Sequence, residues 1–184
     1  GLLESYYYKD QLLMKEGPKP NISRAKLDND SSHFKDIMSY LTLDGEPTVG
    51  KSTDGNYMLT TKWNSSYLLD SKTKTPGTIE MSYLIEDTGA VTVRMKLDFT
   101  KTKVKKFIKV GTRLSLAKGT ENVSWYGNGD DESYCDRQTY TRVGAYTSTV
   151  NKMFYPFAKP QDCGNLTGVK SVSYTHLRAH ETDS

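Results

Sequence analysis

The stretch Trp125-Tyr-Gly-Asn-Gly-Asp-Asp-Glu-Ser-Tyr-Cys-Asp-Arg137 concentrates side chains that can do chemistry. Asp130, Asp131, Glu132 and Asp136 supply carboxylates, Arg137 a fixed cation, and Trp125 and Tyr134 aromatic faces. Two carboxylates held roughly 5–9.5 Å apart can share the work of acid, base or nucleophile. Glu132 and Asp136 are four apart, but in a glycine-containing segment, so no helix lines them up on one face. An arginine directly after an acid predicts instead an ion pair that locks the loop. Gly127 and Gly129 are expected to let the backbone turn where other residues would strain. The whole reads as a structured loop, where function is usually placed on a β scaffold.

Two other sets of reactive side chains offer less. His176 and His180 are spaced i, i+4, which on a helix presents two imidazoles to one metal. They fall, however, in Val172-Ser-Tyr-Thr-His-Leu-Arg-Ala-His-Glu-Thr182. That stretch matches, residue for residue, one reading frame of a transposase adapter used in sequencing libraries. Residues 171–184 are therefore expected to form a non-native, disordered tail that carries no metal site. The remaining histidine, His33, suits a surface or capping position. Cys135 and Cys163 are too few for a disulfide framework and are expected to be free thiols. The run Lys101, Lys103, Lys105, Lys106 and Lys109 alternates with apolar residues, as on a solvated face or guarded edge strand. A net charge of +3 with no nucleic-acid motif argues against a nucleic-acid partner. No apolar run approaches the roughly 18 residues of a membrane span.

The elements that must position the loop are strands. With 35% apolar residues, 13 Tyr and only 5 Phe, the composition suits sheets with one wet face, where tyrosine buries its ring and keeps its hydroxyl hydrated. Val91, Val93, Met95, Leu97 and Phe99 alternate with polar residues, the clearest period-two pattern in the chain. Glu86-Asp-Thr-Gly89 turns between it and Thr78–Ile85 as a hairpin. Further strands are expected at 2–8, 11–14, 21–25, 57–63, 66–69, 107–117, 123–126 and 141–146. Gly17-Pro-Lys-Pro20 should interrupt the pattern. A helix is predicted over 31–43, with Phe34, Ile37, Met38 and Leu41 on one face.

The loop also resembles a family signature. W-Y/L-G-x-G-P-x-E-x-Y-P-D-R marks the C-terminal "small chain" β-sandwich domain of glycoside hydrolase family 2 β-galactosidases. Trp125, Gly127, Gly129, Glu132, Tyr134, Asp136 and Arg137 match it, while Asp130 and Cys135 replace its two prolines. Arg24-Ala-Lys-Leu-Asp-Asn-Asp30 resembles the family's R-A-P-x-D-N-D, with Lys26 for proline. Tyr155-Pro-Phe-Ala-Lys-Pro-Gln-Asp-Cys-Gly-Asn-Leu-Thr167 resembles Y-x-P-Q-E-N-G-N-x-T, with Cys163 in place of an asparagine. These three motifs, in order, with an opening Gly1-Leu-Leu-Glu-Ser5 that resembles the domain's first strand, cover about residues 1–170.

The resemblance implies an all-β chain, part of a large antiparallel sandwich like that of galactose mutarotases, incomplete at its C-terminus. It implies a piece of a retaining enzyme that hydrolyses terminal β-D-galactosides such as lactose. The two catalytic glutamates would lie in a missing TIM barrel of about 250 residues, together with the Mg2+ and Na+ that the family often uses. This piece would need no cofactor. Its partners would be the missing N-terminal barrel and sandwich domains, with a homo-oligomer as the parent and a bacterial cytoplasm as its place. The motif residues Arg24, Asp28, Asn29, Asp30, Trp125, Glu132, Tyr134, Asp136, Arg137 and Asn165 are candidates for lining the substrate cleft or for building its loops. Asp28, Asn29 and Asp30 fit both roles, since their side chains can bind sugar hydroxyls or close an Asx turn. A different class of function, a stand-alone carbohydrate-binding module, also fits a β-sandwich with an aromatic-rich loop.

Overall fold

The structure, a computed structural model, describes residues 2–24, 37–67, 69–158 and 161–175. In chain order it contains the strands β1 (Tyr6–Tyr8), β2 (Gln11–Asn21), β3 (Leu41–Leu43), β4 (Thr48–Lys51), β5 (Tyr57–Ser65) and β6 (Gly77–Ile85). They are followed by β7 (Val91–Asp98), β8 (Gly111–Leu116), β9 (Asn122–Gly129), β10 (Arg142–Thr149) and β11 (Ser171–Thr175). Two short 3-10 turns, Ile37–Tyr40 and Val150–Met153, complete the elements. All strand pairs are antiparallel, and no α-helix occurs among the described residues. The all-β antiparallel class expected from the sequence is observed. The described residues divide into two compact units, one of residues 2–24 and 37–116 and the other of residues 117–175.

The first unit holds two sheets. One has the order β3-β5-β6-β7 with β4 also on β5, and the other β1-β2-β8. Strict alternation dictates which face of the larger sheet is dry. Trp63, Ile79 and Leu97 stand in register, as do Thr61, Met81 and Met95, and Ile79, Met81 and Tyr83 are fully buried. The opposite face carries Lys62, Glu80 and Lys96 side by side, with Lys62 and Glu80 paired at 3.4 Å. The core cluster of Ile22, Ile37, Ile79 and Phe99 gathers Trp63, Leu97 and Phe107 around it. Tyr83 spans from the larger sheet to β2 and donates its hydroxyl to the Pro18 carbonyl at 2.5 Å. Burial pushes that phenol up to about 12.

Several expectations change. β2 continues through Gly17-Pro18-Lys19-Pro20 instead of stopping there. Its pairing with β8 shifts register between Met14 and Glu16 and between Glu16 and Lys19, and such irregularities accept a residue without an N–H. The helix predicted over 31–43 is absent from its described part, where Ile37–Tyr40 is a 3-10 turn and Leu41–Leu43 is a strand on β5. The apolar spacing was genuine, because Ile37, Met38 and Leu41 all reach the core, but a single turn followed by a strand does this as well as a helix. Residues 66–67 and 101–110 lie outside any strand; in the lysine run Val104 and Phe107 turn inward while most of the lysines stay exposed.

The second unit is a sheet of order β10-β9-β11. β9 runs on through Gly129, beyond the predicted turn. The disorder expected from residue 171 does not hold over Ser171–Thr175, which pairs with Tyr126–Asn122. Backbone pairing needs only strand-forming residues, which Val172 and Tyr174 provide. Residues 176–184, with both histidines of the i, i+4 pair, lie outside the described residues, as does His33.

Candidate functional site: two loops joined at Glu132

The site grows from the end of β9. Trp125 is 4% exposed, stacks on Tyr146 of β10 at 5.5 Å, and donates its indole N–H to the Asn128 carbonyl at 3.0 Å. Gly127 and Gly129 belong to the strand and do not turn it. A Cβ on Gly127 would stand 2.7 Å from the Val169 Cα, and one on Gly129 would stand 2.6 Å from the Tyr146 ring. The glycines of the motif therefore permit close approach, the second of glycine's uses.

Beyond the strand, the chain folds against a second loop, residues 161–168. Ser133, wholly buried, donates its N–H to the Asn165 carbonyl at 2.6 Å. The Asn165 side-chain amide returns a bond to the Ser133 carbonyl at 2.6 Å. The Thr167 N–H donates to Ser133 Oγ at 2.9 Å, and Asn128 Nδ2 donates to Thr167 Oγ1 at 2.9 Å. Glu132 completes the join: one carboxylate oxygen accepts the Gly164 N–H at 2.9 Å, and the other pairs with Arg137. Its backbone carbonyl accepts the Tyr140 hydroxyl.

Arg137 thus reaches back to Glu132 and not to its neighbour Asp136, which is exposed and makes no ion pair among the described residues. The reason is a tight turn. Tyr134 and Arg137 exchange backbone hydrogen bonds at 3.0 and 2.9 Å, leaving Cys135 and Asp136 at the tip. The guanidinium lies 5.3 Å from the centre of the Tyr134 ring, and its pairing with Glu132 raises its pKa further. The Tyr134 hydroxyl is buried without a well-formed hydrogen bond among the described residues. Burial, reinforced by the charges of Glu132 and Asp162, pushes it up to about 12, while the backbone N–H of Asn165 favours the phenolate slightly.

Between the loops and the 3-10 turn at Val150–Met153 lies a cleft of about 100 Å3. Trp125, Asp130, Asp131 and Glu132 line it on the β9 side, Lys152, Phe154 and Tyr155 on the other. Of the residues singled out in the sequence, Glu132, Tyr134, Arg137 and Asn165 come together in the two loops, and Trp125 and Glu132 also line the cleft. Arg24 belongs to the first unit, half-buried, and Asp28, Asn29 and Asp30 lie outside the described residues. Sequence reasoning missed Ser133, Thr167 and Asn128. A signal for Thr167 existed: in an extended segment Asn165 and Thr167 face the same side. Among the described residues no three His, Cys, Asp or Glu side chains are placed to hold a metal ion. No helix of the described residues is long and apolar enough to cross a membrane.

Chemically, the arrangement ties the loop after β9 to the loop at 161–168 through hydrogen bonds and one ion pair. The two Glu132 carboxylate oxygens are engaged by a guanidinium and a backbone N–H, one each. Comparison with known proteins agrees on a larger context. The family model described as β-galactosidase small chain matches residues 1–181, and so includes the strand at 171–175. The chain is similar to a β-galactosidase of Priestia megaterium, 24% identical over 178 residues, which cover 96% of this chain and 17% of the relative. It is similar to a β-galactosidase of Streptococcus thermophilus, 28% identical over 182 residues, 93% of this chain and 17% of the relative. A shorter stretch of 56 residues is 39% identical to a β-galactosidase of Vibrio cholerae, 30% of this chain and 6% of the relative. The chain thus spans 17% of the length of the first two.

Proposed function

The chain belongs to the β-galactosidase small-chain family, and we propose that it is the non-catalytic C-terminal domain of a β-galactosidase that hydrolyses terminal β-D-galactosides such as lactose. The observation that carries this reading is the match of one family model to residues 1–181 of a chain that spans 17% of its relatives. The parent is a retaining glycosidase, with two glutamates about 5–5.5 Å apart in the portion outside this domain. Any Mg2+ or Na+ belongs to that portion too. The domain shapes the substrate cleft and subunit contacts of a bacterial cytoplasmic oligomer. The engagement of Glu132 with Arg137 and Gly164 supports a supporting, non-reacting role.

The test is a chimaera in which residues 2–175 replace the matching segment of the Priestia megaterium relative. Retained turnover of a chromogenic galactoside is expected, with none from the 184-residue chain alone. Turnover by the chain alone, abolished by altering one of its own acids, would overturn the proposal.

A further inference from the structure

The cleft beside Glu132 has an unusual rim. Phe154 and Tyr155 expose 66% and 59% of their surfaces and line it together. Large aromatics left in water beside a small, polar hollow are the usual composition of an interface anchor, since aromatic and arginine residues dominate the energetics of protein contacts. At about 100 Å3 the hollow is well below the roughly 300–1,000 Å3 that small-molecule ligands occupy. It is of a size for one side chain.

Charge selects which one. Asp130 and Asp131 line the cleft and, unlike Glu132, make no ion pair among the described residues. Lys152, on the opposite wall, is likewise unpaired among them, so the net charge awaiting compensation is a single negative one. The geometry points to a docking site for one arginine side chain, carried on a segment of the longer protein of which this domain is a part. A planar guanidinium can pair with the Asp130 and Asp131 carboxylates and lie against the Phe154 or Tyr155 ring. The domain already uses this chemistry once, where Arg137 pairs with Glu132 and lies over Tyr134. The inference rests on the proposed function only in that the rest of the protein lies elsewhere: the chain spans 17% of the β-galactosidases it resembles, and the remaining length is what would supply the arginine.

The probe is a capped dipeptide, acetyl-arginyl-leucine amide, titrated into the 184-residue chain while its backbone amide signals are followed by NMR. Saturable shifts at Asp131, Phe154 and Tyr155 are expected, weakened about tenfold or more when citrulline, a neutral isostere, replaces arginine. The same weakening is expected in the Asp130→Asn, Asp131→Asn double variant and in Tyr155→Ala. Absence of shifts, or equal binding of the citrulline peptide, would overturn the inference. So would saturation of the same signals by galactose, which would make the cleft a sugar site, or shifts that depend on protein concentration alone, which would assign it to a second copy. The citrulline comparison needs no variant to fold. Galactoside turnover by the chimaera is a separate readout, so either proposal can fail while the other stands.

Discussion

Glu132 accepts the backbone N–H of Gly164 at 2.9 Å although 32 positions separate the two. One carboxylate therefore fastens the loop after β9 to the loop before β11. Glu132→Ala leaves that partly buried N–H without its acceptor and is expected to cost about 1–3 kcal/mol. A lowered denaturation midpoint and faster hydrogen exchange at Gly164, with unchanged exchange in β5–β7, would be the result.

The two motif glycines should differ in what they tolerate. Gly127→Ala drives a methyl against the Val169 backbone at 2.7 Å, and Gly129→Ala against the Tyr146 ring at 2.6 Å. A ring can swing and a backbone held by β9 cannot, so the first change is expected to cost more, with both in the range of about 1–3 kcal/mol. Gly50 has open space around its Cβ direction, and Gly50→Ala is expected to stay within about 0.5 kcal/mol of the parent. Thermal melts of the three variants rank them directly.

Alkaline titration should single out two tyrosines. Tyr83 and Tyr134 are held protonated to about 12. The folded values lie above the unfolded one, so the stability they contribute is complete below about pH 10 and is lost as the pH rises through about 12. Phenolate absorbance is expected to show a late fraction that Tyr83→Phe and Tyr134→Phe each reduce. Tyr83→Phe also strands the Pro18 carbonyl, at a cost of about 1–3 kcal/mol.

Thr61 offers a change in the other direction. It is 1% exposed, and its hydroxyl lacks a hydrogen-bond partner among the described residues. Thr61→Val removes the stranded oxygen and keeps the shape, so a gain of about 1 kcal/mol is expected from the denaturation midpoint.

What the residues disclosed beforehand depended on the range of the forces involved. The hairpin of β6 and β7 was plain because alternation and its turn are local; the observed strands end within a residue or two of the prediction. The strand β4 escaped notice, since its four residues are all exposed and owe their conformation to β5. Adjacency in sequence points Arg137 to Asp136, whereas the turn between Tyr134 and Arg137 carries it back to Glu132. Ser133 gave no warning at all. A lone serine is ordinary until Asn165 and Thr167, more than thirty positions on, close around it.

The seating of β11 along β9 has a consequence for handling the molecule. A version ending ahead of Ser171 would present the bare flank of β9 as a template, and such flanks capture whatever extended polypeptide is nearest. Shortened molecules are expected to elute as dimers or larger species in size-exclusion chromatography, each borrowing its neighbour's backbone to close the seam. A monomeric elution profile would mean that the flank is quenched some other way.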